Sequence, residues 1–283
     1  MGIFITPLWS EYIVSADQGG IFMDSFQVYR DIKARTDGEI YLGVVGPVRT
    51  GKSTFIKRFM DLLVLPNMTD IHAKERTQDE LPQSASGTTI MTTEPKFVPK
   101  EAAGVKLSDD LEVKIRMIDC VGFMAEGASG HIEKDEERQV KTPWFEYEIP
   151  FTKAAAIGTQ KVIRDHATIG IVVTTDGSVT DLPRENYIQA EERTVKELKA
   201  IGKPFMILLN CKKPYTEESK KLQEELREKY ETAVLPVNCE QMKEEDIHEI
   251  MRQVLYEFPV TEVEFYVKCF RGNIRSNKIF LSM

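Results

Sequence analysis

Gly46-Pro47-Val48-Arg49-Thr50-Gly51-Lys52-Ser53 sets two glycines five positions apart and closes on a lysine and a hydroxyl. This G-x-x-x-x-G-K-S spacing suits one task, the cradling of a chain of phosphates. Glycines let backbone N–H groups curl around the anion, and the N-terminus of a following helix adds partial positive charge. Lys52 is placed to reach the β- and γ-phosphates of a nucleotide, and Ser53 to put its hydroxyl on Mg²⁺. Thr54, next in the chain, joins the cofactor-binding set.

The elements that must position these residues are legible on either side. Glu39 to Val45 (EIYLGVV) is apolar and β-branched, a buried strand running into the loop. Thr54 to Leu65 carries Phe55, Phe59 and Leu62–Leu63 at helical spacing. The same G-x-x-x-x-G-K-S pattern occurs in ordinary turns; a strand before and a helix after are what separate a phosphate loop from such a turn.

Further along, Pro66 to Gly87 is polar and breaker-rich and reads as a long loop, and Thr89 to Val98 as extended chain. Gly104 to Leu107 and Leu111 to Asp119 read as a hairpin turning at Ser108-Asp109-Asp110. The second strand ends in Asp119-Cys120-Val121-Gly122, a D-x-x-G at the strand's C-terminal end, where open α/β sheets bind ligands. Its carboxylate can hold a Mg²⁺ water, and the Gly122 N–H can approach the γ-phosphate. Phe123 to Pro150 is charged and reads as irregular, with a helix from Thr152 to His166. After it strands and helices alternate: Ile169–Thr174, Glu185–Ile201, Phe205–Leu209, Thr216–Tyr230, Ala233–Val237 and Lys243–Phe258.

This pattern predicts an α/β fold of the P-loop nucleotide-binding type with GTPase-like order. A mostly parallel sheet carries one antiparallel strand and has helices on both faces. Thr92 and Thr93 then lie where switch threonines of such folds complete the metal shell, so Ser53, Thr93 and Asp119 form the expected Mg²⁺ set. Spacing alone reads the two threonines equally well as plain strand residues.

With 37 Lys and Arg against 45 Asp and Glu, the 283-residue chain carries a formal charge of −8, which gives no electrostatic footprint for nucleic acid. No apolar run approaches the ~20 residues of a spanning helix. Cys120, Cys211, Cys239 and Cys269 lack C-x-x-C spacing and read as reduced intracellular thiols, with the cytosol as the default compartment. His72, His131, His166 and His248 are scattered.

Base recognition departs from GTPases, which follow a strand with N-K-x-D and use the Asp to accept two hydrogen bonds from guanine. Here the strand leads into Asn210-Cys211-Lys212-Lys213, so a cation stands at the acceptor's place. Two unmatched donors at ~1–3 kcal/mol each would weaken guanine by ~2–6 kcal/mol, about 30- to 10⁴-fold. A lysine can instead donate to adenine N1, so ATP is expected over GTP if Lys213 faces the base. The water-orienting Gln that Ras-like enzymes place after D-x-x-G is replaced by Phe123-Met124. Arg49 and Lys96 are the candidates for a charge-neutralising finger, and turnover is expected to be slow.

At this point the chain resembles the stage IV sporulation protein A family, spore-coat morphogenetic ATPases of endospore-forming bacteria. The resemblance lies in IYLGVVGPVRTGKSTFIKRFMDLLVLPN, QDELPQSASGTTIMTTEPKFVP, IDCVGF, TPWFEYEIPF, VVTTDGSVTDLPRENYIQAEERTVKELKAIGKPF and LYEFPVTEV, spanning roughly Asp24 to Tyr266. It implies an ATPase of the translation-factor-related (TRAFAC-type) GTPase class that hydrolyses ATP to polymerise with itself. It implies a basement layer on the outer forespore surface, in the mother-cell cytoplasm, bound to a small amphipathic forespore-membrane peptide and to other coat proteins. Membrane association would be peripheral. By the same resemblance Lys52 matches the Walker lysine, Asp119 the Walker B acid, and Thr92 and Thr93 the sensor threonines.

Three segments follow: an unmatched extension over residues 1–22, an ATPase domain over 23–260, and a divergent tail over 261–283. Met1 reads as a mis-assigned start ahead of Met23, and the tail as a frayed exposed end that lacks the family's further domains. Two other readings stand beside the assembling ATPase: a GTP-dependent switch, and a nucleotide-binding structural remnant that does not assemble.

Overall fold

In the computed structural model, which describes residues 5–6, 25–82, 94–109, 111–128, 132–133, 136–258, 262–268 and 274–280, the domain around the phosphate loop includes first Ser25–Arg35 (α1) and Glu39–Val45 (β1). Lys52–Phe59 (α2) continues into a π turn, Met60–Val64, and is followed by Ile71–Glu80 (α3). Lys96–Ser108 (β2) and Leu111–Asp119 (β3) come next, then Gln139–Thr142 (β4), Phe145–Pro150 (β5) and Phe151–Lys161 (α4). The rest alternates: Ile169–Thr175 (β6), Ile188–Ile201 (α5), Phe205–Asn210 (β7), Glu217–Tyr230 (α6), Val234–Val237 (β8) and Glu244–Tyr256 (α7).

The main sheet has six strands in the order β8-β7-β6-β1-β3-β2, all parallel except β2, which runs antiparallel to β3 at one edge. Period-two alternation divides β1 between two cores. Ile40, Leu42 and Val44 face a cluster with Val28 and Ile32 of α1, Phe55 and Phe59 of α2, and Ile250 and Val254 of α7. Val45 turns to the opposite face, where Val172, Ile207 and Leu209 meet Val195 and Leu198 of α5 and Leu226 and Tyr230 of α6. Helices therefore cover both faces, as the sequence predicts, and the C-terminal ends of β1, β3, β6 and β7 open on one crevice.

Several expectations are corrected. Within the stretch read as a loop, 66–87, α3 forms because Asp70 caps it, accepting from His72 N at 2.9 Å and Ala73 N at 3.2 Å. Only Thr77 of this helix is buried, so it has no apolar stripe to betray it. β2 is one strand from Lys96, with its register broken between Val98 and Ala103 after a cis Val98–Pro99 bond. β4 and β5 pair as a hairpin in a region read as irregular, and the alternation in Phe145–Pro150 was the available signal. The tail, expected to fray, has Glu262–Lys268 and Ile274–Phe280 paired antiparallel, with Ile5–Thr6 added on the outer side. Val263, Phe265 and Val267 alternate there in sequence, which favours a strand.

Candidate functional site

The phosphate loop connects β1 to α2 and is shaped by left-handed backbone at Arg49 (φ 62°) and Gly51 (φ 95°). A Cβ on Gly51 would lie 2.3 Å from Asn210 Nδ2, so glycine is also what lets the Asn210 side chain approach. Lys52 and Ser53 begin α2, with Thr54 in the same first turn. Lys52 is 5% exposed, and its Nζ donates to the Pro47 carbonyl at 2.6 Å and the Gly46 carbonyl at 3.4 Å. Thr50 Oγ1 donates to the same Pro47 carbonyl at 3.0 Å, and Val48 N donates to the Phe123 carbonyl at 3.0 Å. Loop, lysine and the stretch after D-x-x-G are thus tied together.

Ser53 Oγ donates to Asp119 Oδ2 at 2.8 Å, whereas Asp119 Oδ1 is buried and takes no hydrogen bond. Burial pushes the Asp119 carboxyl up, with the Ser53 hydroxyl and the Lys52 charge opposing. Burial likewise pulls the Lys52 ammonium down, with Cys120 and Asp119 opposing. Both charges are therefore short of stabilisation by protein alone. A divalent cation at the orphaned Oδ1 and a polyanion at Lys52 are the partners that would supply it, so the residues present fit magnesium and a phosphate chain. Gly122 (φ 92°) closes this corner: a Cβ there would stand 1.9 Å from the Gly46 carbonyl oxygen and 2.9 Å from Lys52 Nζ.

At the other end, Asn210 terminates β7 and is buried. Its Nδ2 donates to the Thr50 carbonyl at 2.9 Å, and its Oδ1 accepts from Cys239 N at 3.1 Å. Its side chain holds the phosphate loop against the loop after β8. Asn238 ties the loop after β8 to the loop after β7, donating to the Lys212 carbonyl at 3.2 Å, and accepts from Glu240 N and Gln241 N of its own loop. Lys213 is exposed, on a backbone held by Ser219 Oγ, which donates to its carbonyl at 2.9 Å. Cys120, Cys211 and Cys239 are buried free thiols pushed up by burial, to about 11, about 11 and about 12. That makes them poor nucleophiles at neutral pH.

Of the residues predicted from sequence, Gly46 to Thr54, Asp119 and Gly122 meet around Lys52 and Ser53, and Asn210 and Lys213 lie at the end of β7 and just after it. Thr92 and Thr93 lie outside the described residues. Lys96 pairs with Asp119 across β2 and β3, and its charge opposes the rise of that carboxyl. Arg49 lies close enough to Tyr187 to oppose the burial-driven rise of its phenol.

The segment after β6 was missed. Asp176 Oδ1 accepts from Ser178 N at 2.8 Å and Ser178 Oγ at 2.6 Å, and Ser178 Oγ accepts from Lys212 N at 3.0 Å. The T-D-G-S turn at a strand's C-terminal end, facing the crevice, was the signal available.

The family model described as "Stage IV sporulation protein A, ATPase domain" matches residues 23–259. Stage IV sporulation protein A of Clostridioides difficile is 56% identical over 236 residues, 83% of this chain and 48% of that one. The Bacillus subtilis protein of the same name is 54% identical over 241 residues, 85% of this chain and 49% of its own. The chain thus spans about half the length of the curated relatives it matches. Among solved structures, apo elongation factor SelB from Methanococcus maripaludis gives a TM-score of 0.39 at 13% identity, covering 79% of this chain and 35% of that one.

Proposed function

The chain belongs to the stage IV sporulation protein A ATPase-domain family, and on that premise we propose that it binds Mg²⁺ and ATP, hydrolyses ATP to ADP and phosphate, and uses the cycle to assemble with itself. The observation that carries the nucleotide part is the triad at the phosphate end. Lys52 is buried against the loop carbonyls, Ser53 is bonded to Asp119, and one carboxylate oxygen is left buried without a partner.

Each residue has a physical task in this reading. The loop N–H groups and the α2 N-terminus bind the phosphates, and Lys52 offsets their charge. Ser53 and Asp119 hold the metal, with Thr93 proposed as a further ligand and Thr92 as its neighbour in sensing the terminal phosphate. When bound, Mg²⁺ neutralises charge on the β- and γ-phosphate oxygens. Gly122 lets the backbone approach beside Lys52.

Adenine is proposed as the base because Lys213 replaces the guanine-accepting Asp, and Asn210 and Asn238 hold its loop against the phosphate loop and the loop after β8. Beyond the site, the proposal extends to a mother-cell cytoplasmic layer on the outer forespore surface. Its partners would be further copies of the chain, a small amphipathic forespore-membrane peptide and other coat proteins, with peripheral membrane contact and no nucleic acid.

The test is ATP and GTP hydrolysis by the purified chain beside Lys52→Ala and Asp119→Ala, with sedimentation in each nucleotide. ATP turnover lost in both variants, together with ATP-dependent sedimentation, is the expected result. GTP turnover exceeding ATP turnover would overturn the base assignment.

A further inference from the structure

The three residues that directly follow D-x-x-G carry no side chain able to steer a water molecule. Phe123, Met124 and Ala125 are all apolar, and Phe123 is 3% exposed. Any polar contribution of these three residues must come from the main chain, and its direction is set by whatever anchors the loop. One anchor is Val48 N on the Phe123 carbonyl, inside the phosphate loop itself. The others come from one neighbouring strap, the residues between β6 and α5, and from α5.

Asn186 grips Glu126 at two points: Glu126 N donates to the Asn186 carbonyl at 3.0 Å, and Asn186 Nδ2 donates to the Glu126 carbonyl at 3.0 Å. Gly127 turns the chain beside it at φ 72°, where a Cβ would come within 3.3 Å of that same Nδ2. The Arg193 guanidinium of α5 lies over the Phe123 ring, 4.2 Å from its centroid. Beneath, Val48, Ala125, Ala128 and Tyr187 form a small core that joins the phosphate loop, this loop and the strap. Tyr187 is fully buried, and its hydroxyl sits 2.7 Å from Thr180 Oγ1, which stiffens the strap.

We propose that Asn186 and Arg193 are positioning residues for hydrolysis. They hold residues 121–128 so that the Gly122 and Phe123 main chain stays registered against Lys52 and Val48, in place of a side chain that would orient water directly. The inference rests on the hydrolysis reading above. A shift of about 1 Å at a reacting centre can cost about 10²-fold in rate, so anchors at Phe123 and Glu126, near Gly122 in the chain, are close enough to matter.

The test uses the full chain with Asn186→Ala, Arg193→Ala and Arg193→Lys, and has two readouts. In nucleotide-free protein, amide exchange should quicken over residues 121–128 in both alanine variants and stay as in the parent elsewhere. With Mg²⁺ and ATP, kcat should fall about 10- to 100-fold while KM stays within about twofold, the mark of an interaction used only in the transition state. Arg193→Lys, which keeps a cation over the ring, should restore most of both.

Faster exchange with unchanged or raised kcat would show that the anchoring has no part in hydrolysis, and unchanged exchange would show that these contacts do not hold the loop. Either result overturns the proposal. If an alanine variant fails to fold, Asn186→Asp and Arg193→Gln replace it under the same criteria, since the first keeps the side-chain shape without the donor and the second keeps a polar chain without the charge. An unsubstituted chain without turnover would sink the hydrolysis reading and this role together, whereas a chain that turns over beside unaffected variants would sink this role alone.

Discussion

Asn210 and Thr50, 160 residues apart in the chain, are joined by a buried hydrogen bond of 2.9 Å from the Asn210 amide to the Thr50 carbonyl. The other end of the amide accepts from Cys239 N, so one side chain satisfies two backbone groups on separate loops. Asn210→Ala leaves both unpaired, at about 1–3 kcal/mol each. We expect a loss of about 2–6 kcal/mol in urea unfolding, together with weaker nucleotide binding by calorimetry. A variant as stable as the parent would remove this residue from the frame of the site.

Asp119 supplies a prediction with a sign. Its carboxyl is raised by burial, so the ionised form is the one the folded state disfavours. The penalty is complete at pH above the raised pKa. It fades as pH falls through that pKa, and it is gone below the unfolded value of about 3.9. Asp119→Asn removes the charge and keeps an acceptor for the Ser53 hydroxyl. Without metal or nucleotide, the variant should melt at least as high as the parent at neutral pH, and the gap should close on acidification. Its magnesium-dependent nucleotide affinity should be lost. Thermal scans across pH in chelator check the first part and calorimetry the second; a parent that melts clearly higher at neutral pH contradicts the assignment.

Arg184 and Glu191 form a buried ion pair that fixes the strap to α5. The guanidinium lies 2.7 Å from a carboxylate that is fully buried, and Thr174 and Tyr230 also donate to that carboxylate. Arg184→Ala strands the charge and should cost about 3–5 kcal/mol, whereas Arg184→Met with Glu191→Gln, which removes both charges and keeps an acceptor for the Thr174 and Tyr230 hydroxyls, should recover part of it. Urea unfolding of the three proteins decides. A single-variant loss under about 1 kcal/mol would mean that water reaches the carboxylate.

What could be read from the sequence follows from what carries periodicity. β1, β6 and β7 are continuous apolar runs because both faces of the sheet are covered, and α5 and α7 have stripes because each packs one side on it. The phosphate loop and D-x-x-G were legible because their spacing is itself the chemistry. α3 was not, because it stands on the surface with only Thr77 buried, and its one signal was the Asp70 cap. Asn186 and Arg193 were invisible for another reason. They act on a loop some 60 and 70 residues earlier in the chain, through a backbone carbonyl and an aromatic face, and neither contact leaves a local pattern. Asn210 was found by its place after a strand, but its work in holding two loops needed the third dimension.

Lys213 offers the most direct check of nucleotide choice. It is exposed, and the backbone beneath it is fixed independently of its side chain: Ser219 Oγ and Thr216 N both donate to its carbonyl, and Asn238 holds the preceding Lys212 carbonyl. Replacing the side chain should therefore leave the loop in place and change only what it offers a base. Lys213→Asp exchanges a donor for an acceptor of two hydrogen bonds, which suits guanine N1–H and its 2-amino group and repels no phosphate held at the far end of the site. Restoring two matched bonds at ~1–3 kcal/mol each should shift preference toward GTP by about 30- to 10⁴-fold relative to the parent. Lys213→Ala removes the donor without adding an acceptor, so it should lose ATP preference and gain little for GTP. Competition between the two nucleotides at fixed magnesium measures both variants. If the ratio stays at the parent value in each, Lys213 points away from the base, and the choice between adenine and guanine is made by the main chain around Cys239.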